Sequence, residues 1–399
     1  MNLKVAIAGG GIGGFAAALA LSRGDQQVEL FEKAPAFTEI GAGIQLGPNV
    51  TRLLYDWGLM DAIGQLASVP ERLQVRSATT GNVVGELRLG NAIAARYGAP
   101  YLTLHRADLH AVLRQALQQT STVVHTHCEV QDFQQTPQGV ALRTKVLTKT
   151  DMREVDVLVG ADGLWSNIRQ QLLGDGPVRR TGHLAYRALI LQADLPERLR
   201  SQNVTAWLGR SMHAVQYPVR CGEWLNVVVF VQGNVPDDFQ NWDHRVNAAG
   251  LAASLLTTLQ GGCSALQDVI QAAPDWRLWV MHDRPPMQGA HQHAQGRVAL
   301  LGDAAHPMRP YLAQGAGMAI EDAAGLGSVM RGATQKNAPL ALQKYADNRW
   351  QRNARVQARA LRNGQIFHAT GPLRLGRDVA MKLMGERLLD MPWLYGFKK

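Results

Sequence analysis

The sequence Gly9-Gly10-Gly11-Ile12-Gly13-Gly14 sits between a short apolar run, Val5-Ala6-Ile7-Ala8, and an apolar helical stretch that stops at Gly24. A strand that enters a glycine turn and leaves it as a helix admits few folds. Gly9 permits the tight turn, Gly11 lets the backbone approach a pyrophosphate, and Gly14 allows the helix to pack closely on the strand. The helix start offers free N–H groups and a partial positive charge to phosphate. Val28-Glu29-Leu30-Phe31-Glu32 reads as the next strand, which places Glu32 18 residues beyond Gly14 in a β-α-β unit. A carboxylate there accepts from a ribose 2′-hydroxyl and disfavours a 2′-phosphate, so the unit implies a dinucleotide of the FAD or NAD kind.

Residues 5–22 carry no charge and superficially resemble a leader or a membrane span. Five glycines between positions 9 and 14 would break such a helix, and no cleavage pattern follows. Apolar residues at 46% and charged ones at 18% suit a packed chain rather than a disordered one. Three scattered cysteines, Cys128, Cys221 and Cys263, include no CxxC pair. That argues against a dithiol site and a zinc ribbon, and it points to a reducing cytoplasm. His282, His291 and His293 lack partners at ligand spacing, so no metal is expected.

Further along, Leu109, Val112, Leu113 and Leu117 share one face of a helix over residues 105–119, and residues 155–159 read as a buried strand. From about 182 to 279 the texture changes to many short strand-like runs, such as 225–231, with Trp207, Trp224, Trp242, Trp276 and Trp279. Residues 297–301 return to the first texture, a helix follows over 316–330, and the chain from 340 onward is helical and basic. The expected division is a discontinuous nucleotide domain over 1–75, 97–181 and 280–340, a sheet-rich substrate domain over 76–96 and 182–279, and a C-terminal helical segment over 341–399. The fold class is α/β, a Rossmann-like domain interrupted by an inserted sheet. Of the net charge of +9, +8 lies between Lys344 and Lys399, where no two basic residues adjoin before Lys398-Lys399. With no nucleic-acid motif beside it, this charge reads as a solvated helical face.

Two further stretches end strands in acid-containing turns. Asp156-Val157-Leu158-Val159-Gly160-Ala161-Asp162-Gly163 runs into an acid-glycine turn, and Arg297-Val298-Ala299-Leu300-Leu301-Gly302-Asp303 ends in Gly-Asp. Asp303 falls at the carboxyl end of its strand, where α/β sheets take ligands, and its carboxylate would accept from ribityl hydroxyls there. A merely capped turn explains either stretch alone. Together, in this order and at these separations, the three motifs resemble the single-component FAD-dependent aromatic hydroxylases over nearly the whole chain. The nearer resemblance is to the salicylate hydroxylase, 3-hydroxybenzoate 6-hydroxylase and 6-hydroxynicotinate 3-monooxygenase group. It rests on Glu39-Ile40-Gly41-Ala42-Gly43-Ile44-Gln45-Leu46-Gly47-Pro48-Asn49, His105-Arg106-Ala107-Asp108-Leu109, residues 213–218 and Gly302-Asp303-Ala304-Ala305-His306-Pro307-Met308.

The resemblance implies tightly bound, non-covalent FAD, with NADH or NADPH visiting as a transient reductant because no second glycine motif is present. It carries cofactor binding to Gly9, Gly11, Gly13, Gly14, Glu32, Lys33 and Gly43, and to Arg106 at the ribityl-phosphate region. The Val130 backbone would meet the adenine, Asp162 and Asp303 would touch the cofactor, and Gln314-Gly315-Ala316 would border the flavin ring. It also implies hydroxylation of a small phenolic acid, salicylate- or 3-hydroxybenzoate-like, by O2 through a flavin C4a-hydroperoxide, as in aromatic catabolism.

Such chemistry needs a dry site and a base for the phenol proton. Residues 213, 215 and 217 would share one strand face. His213 is the candidate base, Tyr217 its hydrogen-bonding companion, and Val215 lies between them. Gln45, Arg187, Arg309 and Pro310 are candidates for holding substrate. Gln45 stands where the hydroxynicotinate enzymes carry histidine, which weighs against a nitrogen heterocycle. His306 reads as structural or flavin-adjacent. Two rival readings remain. One is a larger aromatic or quinone-like substrate; the other is a non-catalytic flavin-binding protein, which would need neither Asp162 nor Asp303. The expected partners are the aromatic substrate, O2 and NAD(P)H, with no nucleic acid and no integral membrane segment, in a monomer or homodimer.

Overall fold

Three apolar runs far apart in sequence, Lys4–Ala8, Val157–Gly160 and Val298–Leu300, lie side by side and parallel in the centre of one sheet. Buried on both faces, they read as continuous hydrophobic runs, as parallel strands do. The computed structural model describes residues 2–37, 42–233, 243–244 and 248–397, so Glu39-Ile40-Gly41, Trp242 and Lys398-Lys399 lie outside it. The full order in this sheet is Ala294–Gln295, Val298–Leu300, Val157–Gly160, Lys4–Ala8, Gln27–Phe31, Val123–His125. The helices Ile12–Ser22 and Gly315–Met330 bury Phe15, Leu19, Ile320 and Ala323 beside it. This strand order brings segments far apart in sequence into one sheet.

An eight-stranded sheet forms the second layer, in the order Asp243–His244, Arg277–Asp283, Arg179–Leu191, Trp224–Gln232, Met212–Val219, Val204–Gly209, Arg72–Ser77, Val83–Arg88. Its strands begin at Arg72 and Arg179 and run to Asp283, past the expected limits of 76, 182 and 279, because pairing continues through Arg72↔Arg88 and Arg179↔Asp283. Alternation gives the sheet two different faces. Leu184, Tyr186, Trp207, Ala214, Val227 and Val229 pack on one side against Leu255, Leu266 and Ile270 of the helices Ala248–Thr258 and Ser264–Ala272. The opposite face presents His213, Val215, Tyr217, Val228, Phe230 and Arg187.

The C-terminal segment begins with a 30-residue helix, Ala338–Phe367, followed by Gly371–Met384 and two short helices. Its basic residues are not simply a solvated face, contrary to the charge-pattern expectation. Arg349 and Arg352 turn inward, with side chains only 3% and 9% exposed, toward Glu321 and Asp322 on Gly315–Met330. Charge spacing along a helix does not say which stripe meets a buried acid; the packing partner decides that. Among the described residues no helix is long and apolar enough to cross a membrane.

Candidate active site

Four turns gather at the carboxyl ends of the parallel strands, where open α/β sheets bind ligands. The first holds Gly9 at φ +109°, and a Cβ there would lie 2.4 Å from the Ala161 carbonyl oxygen. A Cβ on Gly14 would come within 1.9 Å of the Gly9 carbonyl oxygen, whereas one on Gly11 would meet nothing. The turn is therefore closed at its back and open at its front. No acidic residue occupies the first turn of Ile12–Ser22, so its N-terminal field is uncompensated. A Cβ on Gly13 would strike Leu301 Cδ2 at 2.8 Å, so the bare backbone there also lets the helix pack closely.

Glu32 follows the second strand, and its carboxylate accepts the Gly10 N–H at 2.7 Å and the Ala34 N–H at 2.8 Å. Each oxygen takes one amide and keeps a lone pair for a ribose hydroxyl. Lys33 beside it is exposed. The Cys128 N–H donates to the Glu32 carbonyl at 2.9 Å, which brings the strand Cys128–Gln135, with Val130, to the same corner.

Asp162 is engaged within its own turn. Ser166 Oγ donates to it at 2.5 Å and the Ile168 N–H at 3.1 Å, while burial raises its pKa. Asp303, after Val298–Leu300, is exposed at the turn. The preceding Gly302 N–H is anchored on Asp322 at 3.2 Å. Gln314-Gly315-Ala316 opens the helix Gly315–Met330; Gln314 is buried and accepts from Asn49 Nδ2 at 3.0 Å, and Gly315 faces open space. Arg106 starts the helix Arg106–Leu117, with its N–H on the Ala42 carbonyl at 2.8 Å. A phosphate-accessible turn, a held ribose acceptor, an exposed carboxylate and an open helix N-terminus fit an elongated dinucleotide such as FAD.

Across from this cradle, the eight-stranded sheet arranges side chains in rows. His213, Phe230, Ala185 and Trp279 form the first, and Val215, Val228, Arg187 and Arg277 the second. Tyr217, Asn226 and Leu189 form the third. His213 is 1% exposed and stacks on Phe230 with centroids 4.6 Å apart, edge-on to Tyr311 at 4.7 Å and Phe367 at 5.1 Å. Burial first, then His368 and His183, holds its pKa well below the ordinary histidine value. It is therefore neutral near pH 7.

Tyr217 closes the other end of the wall. A Cβ on Gly43 would lie 2.5 Å from Tyr217 Cε2, so only glycine lets the strand Gly43–Leu46 approach this closely. The Gly43 N–H donates to Asn226 Oδ1 at 2.7 Å, and Tyr101 Oη donates to Gln45 Oε1 at 2.6 Å. Arg187 sits in the middle row with its guanidinium 4.0 Å from the Trp279 centroid. Its Nε has no hydrogen-bond partner among the described residues. Burial lowers its pKa to about 10, with Tyr217 and Arg106 close enough to contribute in opposite directions. Arg309, by contrast, is bound to Asp283 at 2.8 Å and leaves the wall to its neighbours; Pro310 is half-buried in the same loop.

The model of a FAD binding domain matches residues 2–360. A 3-hydroxybenzoate 6-hydroxylase of Polaromonas naphthalenivorans (strain CJ2) is 37% identical over 399 residues, covering 99% of this chain and 96% of that protein. The chain belongs to the FAD-dependent aromatic hydroxylases. A 6-hydroxynicotinate 3-monooxygenase of Bordetella bronchiseptica (strain ATCC BAA-588 / NCTC 13252 / RB50) is 32% identical, covering 89% of each chain. A salicylate hydroxylase solved as a substrate complex superposes with a TM-score of 0.83 at 26% identity, covering 100% of this chain and 96% of that one.

Two features of this hydroxylase escaped the sequence reading. One is a buried charge network: Arg349 donates to Asp322 at 2.8 Å and Glu321 at 3.0 Å, Arg352 binds Glu321 at 2.6 Å, and His306 meets Asp322 at 2.5 Å. Burial alone would raise Asp322, but His306 and Arg349 hold it far below the carboxylate range. The available signal was Glu321-Asp322 inside an otherwise apolar helix. His306 is thereby a structural partner of Asp322. The second feature is His368, at the end of Ala338–Phe367, whose Nε2 lies 2.8 Å from His213 Nδ1. No spacing in the sequence connects those two residues.

Proposed function

We propose that this hydroxylase acts on a small phenolic acid of the 3-hydroxybenzoate kind, using NAD(P)H and O2. The observation that carries this reading is Arg187, a half-buried cation over Trp279 whose Nε is buried and has no hydrogen-bond partner among the described residues, on the same sheet face as His213 and Tyr217. Such a guanidinium, with no carboxylate partner among the described residues, is matched by a substrate carboxylate. The neutral imidazole of His213, in the adjoining row, would take the phenolic proton and make the ring electron-rich. Phe230, Tyr311 and Phe367 exclude water around it. Tyr217 and Gln45 would orient the ring at the other end of the wall.

FAD, when bound, supplies the redox chemistry, accepting hydride and activating oxygen. Gly9, Gly11 and Gly14 would admit its pyrophosphate, Glu32 its ribose and Asp303 its ribityl chain, with Arg106 and Gln314-Gly315-Ala316 toward the ring system. The relatives named for 3-hydroxybenzoate support the ring type, and the salicylate hydroxylase neighbour supplies the competing regiochemistry.

The test is NADH and NADPH oxidation across monohydroxybenzoates and hydroxypyridine carboxylates, with products identified by mass. 3-Hydroxybenzoate should stimulate oxidation and gain one oxygen without losing CO2. Decarboxylative turnover of salicylate alone would overturn the assignment. Arg187→Met should keep FAD and raise KM for the acid about 10- to 100-fold, the range for a lost charged hydrogen bond. An unchanged KM would remove Arg187 from the carboxylate role.

A further inference from the structure

The C-terminal segment reaches the substrate wall at one point. Helix Ala338–Phe367 ends at His368, whose N–H closes on the Gly364 carbonyl at 3.1 Å. Arg377, from the next helix, donates to the Ile366 carbonyl at 3.0 Å and the Phe367 carbonyl at 2.9 Å. These bonds fix the last turn, and with it the imidazole of His368. That ring presents Nε2 to His213 Nδ1 at 2.8 Å, with the planes inclined by 48°. His213 Nε2 has no partner among the described residues, although every other side of the ring is packed.

We propose that His368 is the positioning residue for His213: it accepts the Nδ1–H and thereby leaves the Nε2 lone pair as the only site that can receive the substrate proton. This rests on the reading of His213 as the base. A neutral imidazole carries one proton, and the hydrogen bond at one nitrogen decides which nitrogen keeps it. If His368 accepts at Nδ1, Nε2 is a base. If the bond ran the other way, Nε2 would carry the hydrogen and could take nothing from a phenol. In the proposed step the phenolic O–H breaks, its proton bonds to His213 Nε2, and the phenolate keeps the electron pair. The resulting imidazolium is stabilised by the lone pair of His368 Nε2.

The surroundings favour two neutral rings before substrate arrives. His183 stands 5.2 Å from His368, and Tyr311, Phe230 and Phe367 enclose His213. Arg309 beside His183 is bound to Asp283, and Arg377 is bound to Asp378, so the nearby cations have their own acids. Burial, then His183, Arg309 and Arg377, lowers His368 to about 4, so at working pH it is neutral and one of its nitrogens is able to accept.

The experiment compares His368→Gln with His368→Leu in the FAD-loaded enzyme. A glutamine can still accept from Nδ1–H through its side-chain oxygen, whereas leucine fills similar space without accepting. His368→Leu should lower kcat for coupled product formation about 10- to 100-fold with KM nearly unchanged, as loss of an orienting partner commonly does. The acid limb of its pH profile should move, and His368→Gln should recover most of the loss. Equal kcat and pH profiles for wild type and His368→Leu would overturn the proposal, as would Gln and Leu variants that are equally impaired. Nitrogen-15 spectra of histidine-labelled wild-type holoenzyme provide a readout independent of variant folding. They should report His213 as the Nδ1–H tautomer; the Nε2–H tautomer would overturn the assignment. His213→Ala separates the two ideas. Full coupling in that variant sinks the base reading itself, whereas lost coupling beside a normal His368→Leu enzyme sinks only the positioning role.

Discussion

Replacing Arg349 with methionine probes the link between the C-terminal helix and the cofactor cradle. The guanidinium donates to Asp322 at 2.8 Å, Glu321 at 3.0 Å and Asn353 at 3.2 Å, and all four groups are buried. In Arg349→Met, Glu321 keeps Arg352, but among the described residues Asp322 keeps only His306, Asn353 and the Gly302 N–H. A carboxylate far below its usual pKa would then be buried without its guanidinium partner. Breaking a buried pair on one side costs about 3–5 kcal/mol, a large share of the ~5–15 kcal/mol that holds a typical fold. At about 2.1 cal/mol/K of unfolding entropy per residue, a chain of 399 residues should lose roughly 4–6 °C in Tm if it melts as one unit. Calorimetry of the holoenzyme measures this directly. FAD affinity should fall as well, because Asp322 anchors the amide that precedes Asp303. Arg349→Met with Asp322→Asn should lose less than the two single variants summed, since neither charge is then stranded. A Tm within 1 °C of wild type, or strictly additive losses, would refute the argument.

Gly43→Ala would force a methyl to within 2.5 Å of Tyr217 Cε2 and 2.7 Å of Asn226 Cγ. We expect about 1–3 kcal/mol of destabilisation from overpacking, together with a higher KM, in urea unfolding and steady-state kinetics. Wild-type values in both would contradict the close approach. Burial keeps His293 neutral down to about 4, whereas an unfolded histidine takes up its proton near 6.5. The unfolded chain therefore binds more protons between those values. Stability should be fully present above about 6.5 and decline as pH falls toward 4, with roughly 3 kcal/mol from this residue. His368 acts in the same direction. A urea midpoint that is flat from pH 7 to 4.5, or an unchanged slope in His293→Asn, would exclude that linkage.

Local signals were strong wherever one short segment does a complete job. The glycine turn and the turn at Asp162 each combine a strand end, a turn and a helix start within a dozen or so residues, and Glu32 and Asp303 closely follow strand ends, so these positions stood out from spacing. The motif marks the turn but not Leu301, which fills the space beside Gly13 and is remote in sequence. Arg309 was a reasonable cation for substrate until Asp283 was placed next to it. The alternation of His213, Val215 and Tyr217 on one face needed only the period of a strand.

What the sequence by itself determined was the dinucleotide fold, the interruption by a second sheet and the resemblance to flavin hydroxylases, because these rest on periodicity and on turns closed by near neighbours. Tertiary structure decided which charges are buried and what stands behind the base. Arg349 and Arg352 turn inward because two carboxylates on another helix await them. His213 gains His368 from 155 residues away because a helix end, tied by Arg377, lands on the sheet face. Contacts of that kind depend on how the layers dock, and no local pattern encodes them.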